Sequence, residues 1–142
     1  MGEITPSLAA ETKAVKEAYA ALNRNDVPGF LQIFAPDVVR IEPPGFPASG
    51  TFHGIEALKA ILVLNRGKWA EGSCEPERFV VAGDRVVVFV HVHVRLEHET
   101  EWREGDIADG FAFRNGKAIH FQTFVDSGEA LEWAGAAKSE KE

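Results

Sequence analysis

Residues 83–97, GDRVVVFVHVHVRLE, alternate valine with polar or aromatic side chains over most of their length. This alternation has the period of a β-strand, in which successive side chains point to opposite faces of a sheet. Gly83 and Asp84 stand at the start of the stretch and are typical of a tight hairpin turn. The stretch therefore predicts a strand that pairs with the segment before it.

The same period continues on both sides of this stretch. Asn115-Gly116 supplies the positive φ angles that a second two-residue turn requires. The predicted strands cover residues 74–82, 85–97, 106–114 and 118–125. Together they predict an antiparallel meander.

The first half of the chain has helical spacing instead. A long first helix is predicted over about residues 8–22, Asp26 can cap a short second helix, and a third helix follows Gly54. A strand over 38–42 lies between them, and Asp126 or Ser127 can cap a last short helix. This order predicts an α+β fold in a single domain over 1–142, with a polar, frayed tail over about 136–142.

Composition limits the function classes. The chain has 142 residues and a formal net charge of -7, with no cluster of basic residues, so no nucleic acid is expected as a partner. No apolar run approaches the roughly 20 residues that span a bilayer, so no membrane association is expected and the protein is predicted to be cytoplasmic. A single cysteine, Cys74, excludes an internal disulfide.

Several short segments resemble the NTF2-like superfamily, and more narrowly its ketosteroid isomerase and SnoaL-like polyketide cyclase branches. They are residues 21–30 (ALNRNDVPGF), 34–38 (FAPDV), 54–58 (GIEAL) and 111–117 (FAFRNGK). The resemblance covers about residues 15–133. It implies a cystatin-like cone, with N-terminal helices packed against a strongly curved antiparallel sheet and an apolar small-molecule pocket at the mouth.

The resemblance also implies candidate catalytic residues. The isomerases have a general base, an aspartate before a proline at the end of the first strand, and Glu42-Pro43 matches that place. Their second catalytic carboxyl matches Asp109, two residues before Phe111. Their oxyanion-hole tyrosine falls on Ala18, so this chain departs from the pattern, with Tyr19 one residue away.

Two carboxyl groups in an apolar pocket can divide acid and base roles, because burial raises the pKa of a carboxyl group. Glu42 could then remove a proton beside a carbonyl, and a neutral Asp109 could donate a hydrogen bond to the enolate oxygen. Ordinary ion pairs are the alternative. Glu42 would then pair with Arg40 or a lysine, and Asp109 with Arg95 or Arg114.

The histidines of the opening stretch allow a different hypothesis. His91, His93 and Glu97 have a spacing close to the first metal-binding motif of the cupins, which hold divalent metals. Beyond His98, which directly follows Glu97, the only later histidine is His120, and it lacks the Pro-x-Gly that precedes the third cupin histidine. The N-terminal helices also do not suit an all-β barrel, so no metal or other cofactor is expected and His91/His93/Glu97 remain the minority interpretation.

The two faces of the strand over 85–97 can be oriented in two ways. Comparison with the isomerases favours Phe89, His91 and His93 inside the pocket, with the valines on the convex sheet face. An apolar face of that size would be buried in a homodimer. The reverse orientation, with the valines inside, remains open. The predicted pocket-lining residues are Tyr19, Phe46, Trp69, Phe89, His91, His93, Trp102, Phe111, Phe113 and Phe121.

The sequence therefore predicts a small-molecule pocket protein. The favoured function is a cofactor-independent proton-transfer enzyme, an isomerase or a cyclase/dehydratase, acting on an apolar carbonyl or hydroxyl compound. The first alternative is a noncatalytic ligand-binding domain of the same fold. The second is a divalent-metal enzyme.

Overall fold

A computed structural model describes residues 8–44 and 49–136 of the chain. Within them the predicted α+β architecture is confirmed, as helices packed against one curved sheet. The elements are α1 (Ala9–Asn23), α2 (Val27–Leu31), β1 (Phe34–Glu42), β2 (Gly50–His53), α3 (Ile55–Arg66), β3 (Trp69–Ala82), β4 (Arg85–Leu96), β5 (Arg103–Arg114), β6 (Lys117–Phe124) and α4 (Ser127–Ala134).

The strands form one sheet in the order β2-β1-β6-β5-β4-β3. All neighbours are antiparallel except β1 and β6, which run parallel. The predicted meander is confirmed, and Asn115 and Gly116 have the positive φ angles of 55° and 81° that its last turn needs. The short edge strand β2 was not predicted, because its four residues carry no clear alternation.

The helices α1, α2 and α3 pack against the concave face of the sheet. Their apolar residues share one buried cluster with Val86, Val88 and Val90 of β4, each at most 1% exposed. The predicted orientation of this strand is therefore wrong. An all-valine face buries more apolar area against the helices than a face of histidines, so the valines lie inside.

Helix α4 folds back onto the opposite, convex face. Ala130 and Ala134 form a second buried cluster there with Val87, Ala108 and Phe124. Asp126 caps the start of the helix, since its side chain accepts a hydrogen bond of 2.7 Å from the backbone N–H of Gly128. The argument for a homodimer through an exposed valine face is thus removed, and the homodimer itself stays a prediction.

Two further expectations concern the chain ends and the membrane. The predicted frayed tail falls almost entirely on residues 137–142, and these lie outside the described residues, as does Phe46. No helix in the described ranges is long and apolar enough to cross a membrane.

Candidate functional site

A line of buried polar residues crosses the apolar concave face. Throughout the described ranges, the buried polar residues are Arg40 and Glu42 of β1, Asp109 of β5 and Thr123 of β6. These strands are adjacent, and the register pairs Arg40 with Phe121 and Asp109 with Thr123. The two predicted catalytic carboxyl groups therefore lie on one face, with β6 between their strands.

Glu42 is held by one of its two oxygens. Its Oε2 accepts hydrogen bonds from Arg40 Nη2 at 3.2 Å and from Asn65 Nδ2 of α3 at 3.3 Å. The other oxygen, Oε1, is buried and has no hydrogen-bond partner among the described residues. The alternative prediction for Glu42 was a solvent-exposed ion pair with Arg40. The ion pair with Arg40 is formed, but it is buried, with Glu42 only 4% exposed.

Arg40 is fixed by more than this ion pair. Its Nη1 donates to the backbone oxygen of Phe121 at 3.3 Å, and its guanidinium lies 4.0 Å above the centre of the Phe121 ring. The positive charge of Arg40 is therefore fixed between Glu42 and Phe121.

Asp109 is bonded to two hydroxyl groups. Tyr19 donates to its Oδ2, and Thr123 donates to its Oδ1 at 2.6 Å. Burial raises the pKa of the Asp109 carboxyl, although the nearby Arg40 charge and both hydrogen bonds oppose this shift. The alternative ion pairs are not formed, because Arg95 contacts Glu71 and Arg114 contacts Asp37.

Tyr19 is the tyrosine that the sequence placed one residue off the isomerase pattern. It lies in the buried stripe of α1 and is 2% exposed, with its ring packed edge-on against Phe30 and Phe111. Burial, reinforced by the Asp109 carboxylate, raises the pKa of Tyr19 well above 10.0. The phenol thus stays protonated as a donor to Asp109.

Aromatic rings form the floor around these groups. Phe111 and Phe121 stack with their ring centres 4.8 Å apart, and Phe34 packs against both. Phe113 belongs to the same buried cluster. Three of the predicted lining residues, Phe111, Phe113 and Phe121, therefore lie on the concave side.

An apolar cleft opens at one end of the concave face. It encloses about 440 Å³ and is lined by Trp69, Cys74, Val92 and Ile107, among others. Ile107 lies two residues before Asp109 on the same face of β5. The cleft therefore shares a face of β5 with the buried carboxyl of Asp109.

The remaining predicted residues lie on the convex side. His91 contacts Asp106 through Nδ1 at 2.9 Å and Glu104 through Nε2 at 2.8 Å, and these hydrogen bonds raise its pKa. His93 packs against Trp102, with ring centres 4.3 Å apart.

Phe89 packs with the cluster under α4. The placement of Phe89, His91, His93 and Trp102 in the concave pocket was therefore wrong, and the reason is the reversed orientation of β4. Within the described ranges no three His, Cys, Asp or Glu side chains form a cluster that could hold a metal ion.

Three residues of the site were not predicted as site residues, namely Arg40, Asn65 and Thr123. Arg40 shares a strand face with Glu42 because the two are separated by one residue. Asn65 continues the apolar stripe of α3 at helical spacing from Leu58 and Ile61, which is the signal that could have found it. Thr123 carried no comparable signal, because only the strand register brings it to Asp109.

The sequence profile of the SnoaL-like domain matches residues 15–121. The chain belongs to this family. The matched range of this SnoaL-like domain includes Tyr19, Arg40, Glu42, Asn65 and Asp109, but ends before Thr123.

Solved structures are similar to the SnoaL-like domain over most of its length. An NTF2-like protein of unknown function from Burkholderia pseudomallei is 28% identical, with a TM-score of 0.76 over 89% of this chain and 98% of its own. TerC, co-crystallised with polyporic acid, is 26% identical, with a TM-score of 0.75 and the same coverage. An NTF2-like protein from Burkholderia xenovorans is 31% identical, with a TM-score of 0.67 over 87% of this chain and 93% of its own.

These similarities confirm the NTF2-like fold predicted from the sequence. A search of the curated proteins found no match to this chain. Family and fold together support a small-molecule-binding protein.

Proposed function

We propose that this SnoaL-like domain is a cofactor-independent proton-transfer enzyme, of isomerase or lyase type, that acts on a small apolar carbonyl compound. The observation that carries the proposal is the free Oε1 of Glu42. This oxygen is buried and unpartnered in the described part of the chain, while its twin is held by Arg40 and Asn65.

Glu42 has the geometry of an oriented base. A carboxylate whose Oε2 accepts two hydrogen bonds cannot rotate freely, so the lone pairs of Oε1 keep one direction. In the proposed reaction the C–H bond beside the carbonyl breaks and its proton bonds to Oε1. The electron pair moves onto the carbonyl oxygen, which gives an enolate.

Asp109 is the proposed donor to that enolate. A neutral Asp109 has one hydrogen, and its raised pKa favours the neutral form. The ligand oxygen would take the place of the Thr123 hydroxyl at Oδ1, while Tyr19 keeps its hydrogen bond to Oδ2. Return of the proton from Glu42 to another carbon would complete an isomerisation.

The cleft supports the apolar part of the ligand. Arg103, Glu104 and Asp106 also line the cleft, but its exposed surface is mainly apolar, which suits an aromatic or alicyclic body. The polyporic acid bound to TerC, at 26% identity, supports a small organic molecule as the ligand class.

Deuterium incorporation tests this proposal without knowledge of the natural substrate. The protein is incubated in deuterium oxide with α-tetralone, an apolar bicyclic ketone, and loss of the α-proton signal is followed by NMR. We expect faster exchange than in buffer alone, and slower exchange with Asp109→Asn, whose amide is a weaker acid. Exchange no faster than in buffer, for this and related apolar ketones that bind, would instead favour the noncatalytic binding domain.

A further inference from the structure

Three planar groups meet at one atom of the site, Glu42 Oε2. They are the carboxylate itself, the Arg40 guanidinium and the Asn65 amide. Each of these groups also has a buried atom without a hydrogen-bond partner among the described residues, namely Glu42 Oε1, Arg40 Nε and Asn65 Oδ1. Because each group is only a few bonds wide, the three unpartnered atoms lie close around the same point.

Such a grouping of unpartnered buried atoms is unusual for this molecule. In the described parts of the chain four buried side-chain atoms have no partner, and the fourth, Thr12 Oγ1, lies on α1. Buried polar atoms in folded proteins are nearly always hydrogen-bonded, and each exception calls for an explanation, such as a catalytic role or a bound water molecule or ion. The side chains of Arg40 and Glu42 are 7% and 3% exposed, so bulk solvent does not satisfy them.

The chemistry of the unpartnered atoms defines what can complete them. Glu42 Oε1 is the oxygen that the proposed function reserves for a carbon-bound proton. Asn65 Oδ1 then remains as an acceptor and Arg40 Nε as a donor. A hydroxyl group satisfies both at once, because it donates one hydrogen and accepts another. A carbonyl would satisfy only Arg40, and an ammonium group only Asn65.

We propose that Arg40 and Asn65 form a hydroxyl-binding subsite, and that the substrate carries a hydroxyl group on the carbon that Glu42 deprotonates. The substrate class is therefore an apolar α-hydroxy ketone rather than a simple ketone. This inference rests on the proposed function for the identity of the base. Asn65 and Arg40 are the specificity-determining residues.

Binding of two matched probes tests the subsite. The affinities of α-tetralone and its α-hydroxy derivative are measured by calorimetry for the wild type and for Asn65→Leu, with folding checked by circular dichroism. We expect the hydroxy ketone to bind about tenfold more tightly to the wild type, and this ratio to fall toward one in Asn65→Leu. Arg40→Lys keeps a positive charge beside Glu42 but removes Nε, and should also reduce the ratio.

Leu64→Ala is the matched control. Leu64 precedes Asn65 in α3 and is 55% exposed, so its truncation should leave the ratio unchanged. A wild-type ratio of one would overturn the subsite, as expected if a water molecule occupies it with either ketone. A ratio that survives Asn65→Leu would also overturn it, as would failure of the wild type to bind the hydroxy ketone.

Failure of the subsite and failure of the proposed function give different results. Catalysed exchange of α-tetralone without a hydroxyl preference would reject the subsite alone. A tenfold hydroxyl preference lost in Asn65→Leu, with no exchange of either ketone, would reject the proton-transfer function while leaving the subsite.

Discussion

At the scale of single residues, the site depends on which face of its strand or helix each side chain lies on. Glu42 and Asp109 were predicted to face one pocket, because the matching motifs fix their positions relative to a proline and an aromatic pair. Tyr19 was predicted to line the pocket, but its contact with Asp109 was not predicted, since an offset of one residue from the isomerase position turns a helical side chain by about 100°. Only the packing of α1 decides that Tyr19, not Ala18, reaches Asp109.

Asp109 should make stability depend on pH. Its pKa in the folded protein lies above the ordinary 3.8, so the unfolded chain loses this proton first as pH rises. The folded state is therefore progressively disfavoured from about that pH up to the folded pKa. In Asp109→Asn this contribution is absent, so the stability of the variant relative to the wild type should increase with pH over that window.

Urea unfolding of both proteins at a series of pH values measures this difference. Other titrating groups are common to the two proteins and cancel to a first approximation. Parallel stability curves would show that burial does not raise the pKa of Asp109.

His91 should also make folding stability depend on pH, but over a different pH range from Asp109. Its two carboxylate partners raise its pKa above 6.5 in the folded protein, so its contribution is complete below 6.5 and is lost as pH rises through the folded pKa. His91→Gln should remove this loss of stability at and above neutral pH. Thermal unfolding midpoints across that range measure it, with the exposed His53→Gln as control. An identical pH dependence in His91→Gln and wild type would contradict the placement of His91 between Asp106 and Glu104.

At the scale of elements, the sequence predicted which segments are helices and strands better than it predicted which face of each is buried. The alternation in β4 identified a strand correctly, but alternation alone does not say which face is inside. The position of α4 was not predictable from its eight residues either. It depends on a surface that only the assembled sheet presents, where Gly110 leaves space for the ring of Trp133.

Gly110→Ala should displace α4 from the sheet. A Cβ atom at residue 110 would lie 2.6 Å from Cζ3 and 2.9 Å from Cε3 of Trp133, closer than carbon atoms approach. We expect a loss of about 1–3 kcal/mol in the free energy of unfolding, as for other overpacked sites. Urea unfolding provides the measurement.

Gly105→Ala is the control in the same strand. No heavy atom lies within 4 Å of a Cβ atom built there, so this substitution should change stability by less than about 0.5 kcal/mol. Equal effects of the two substitutions would show that Trp133 does not pack on Gly110.

At the scale of the whole molecule, the α+β class and the meander followed from the sequence. The parallel pairing of β1 with β6 did not, because these strands are far apart in the sequence and no local pattern indicates that they pair. That pairing brings Arg40 and Glu42 beside Phe121 and Thr123, and so builds the polar line from distant segments. The helix α3 then adds Asn65 from a third segment.

The proposed reaction requires Glu42 as its base, and a comparison of exchange rates tests that role. The α-proton exchange of α-tetralone in deuterium oxide is measured for wild type and Glu42→Gln, each saturated with the ketone. We predict a rate at least about 100-fold lower in Glu42→Gln, with affinity for the ketone nearly unchanged, because the amide cannot take up the proton. Equal exchange rates at saturation would show that Glu42 is not the base.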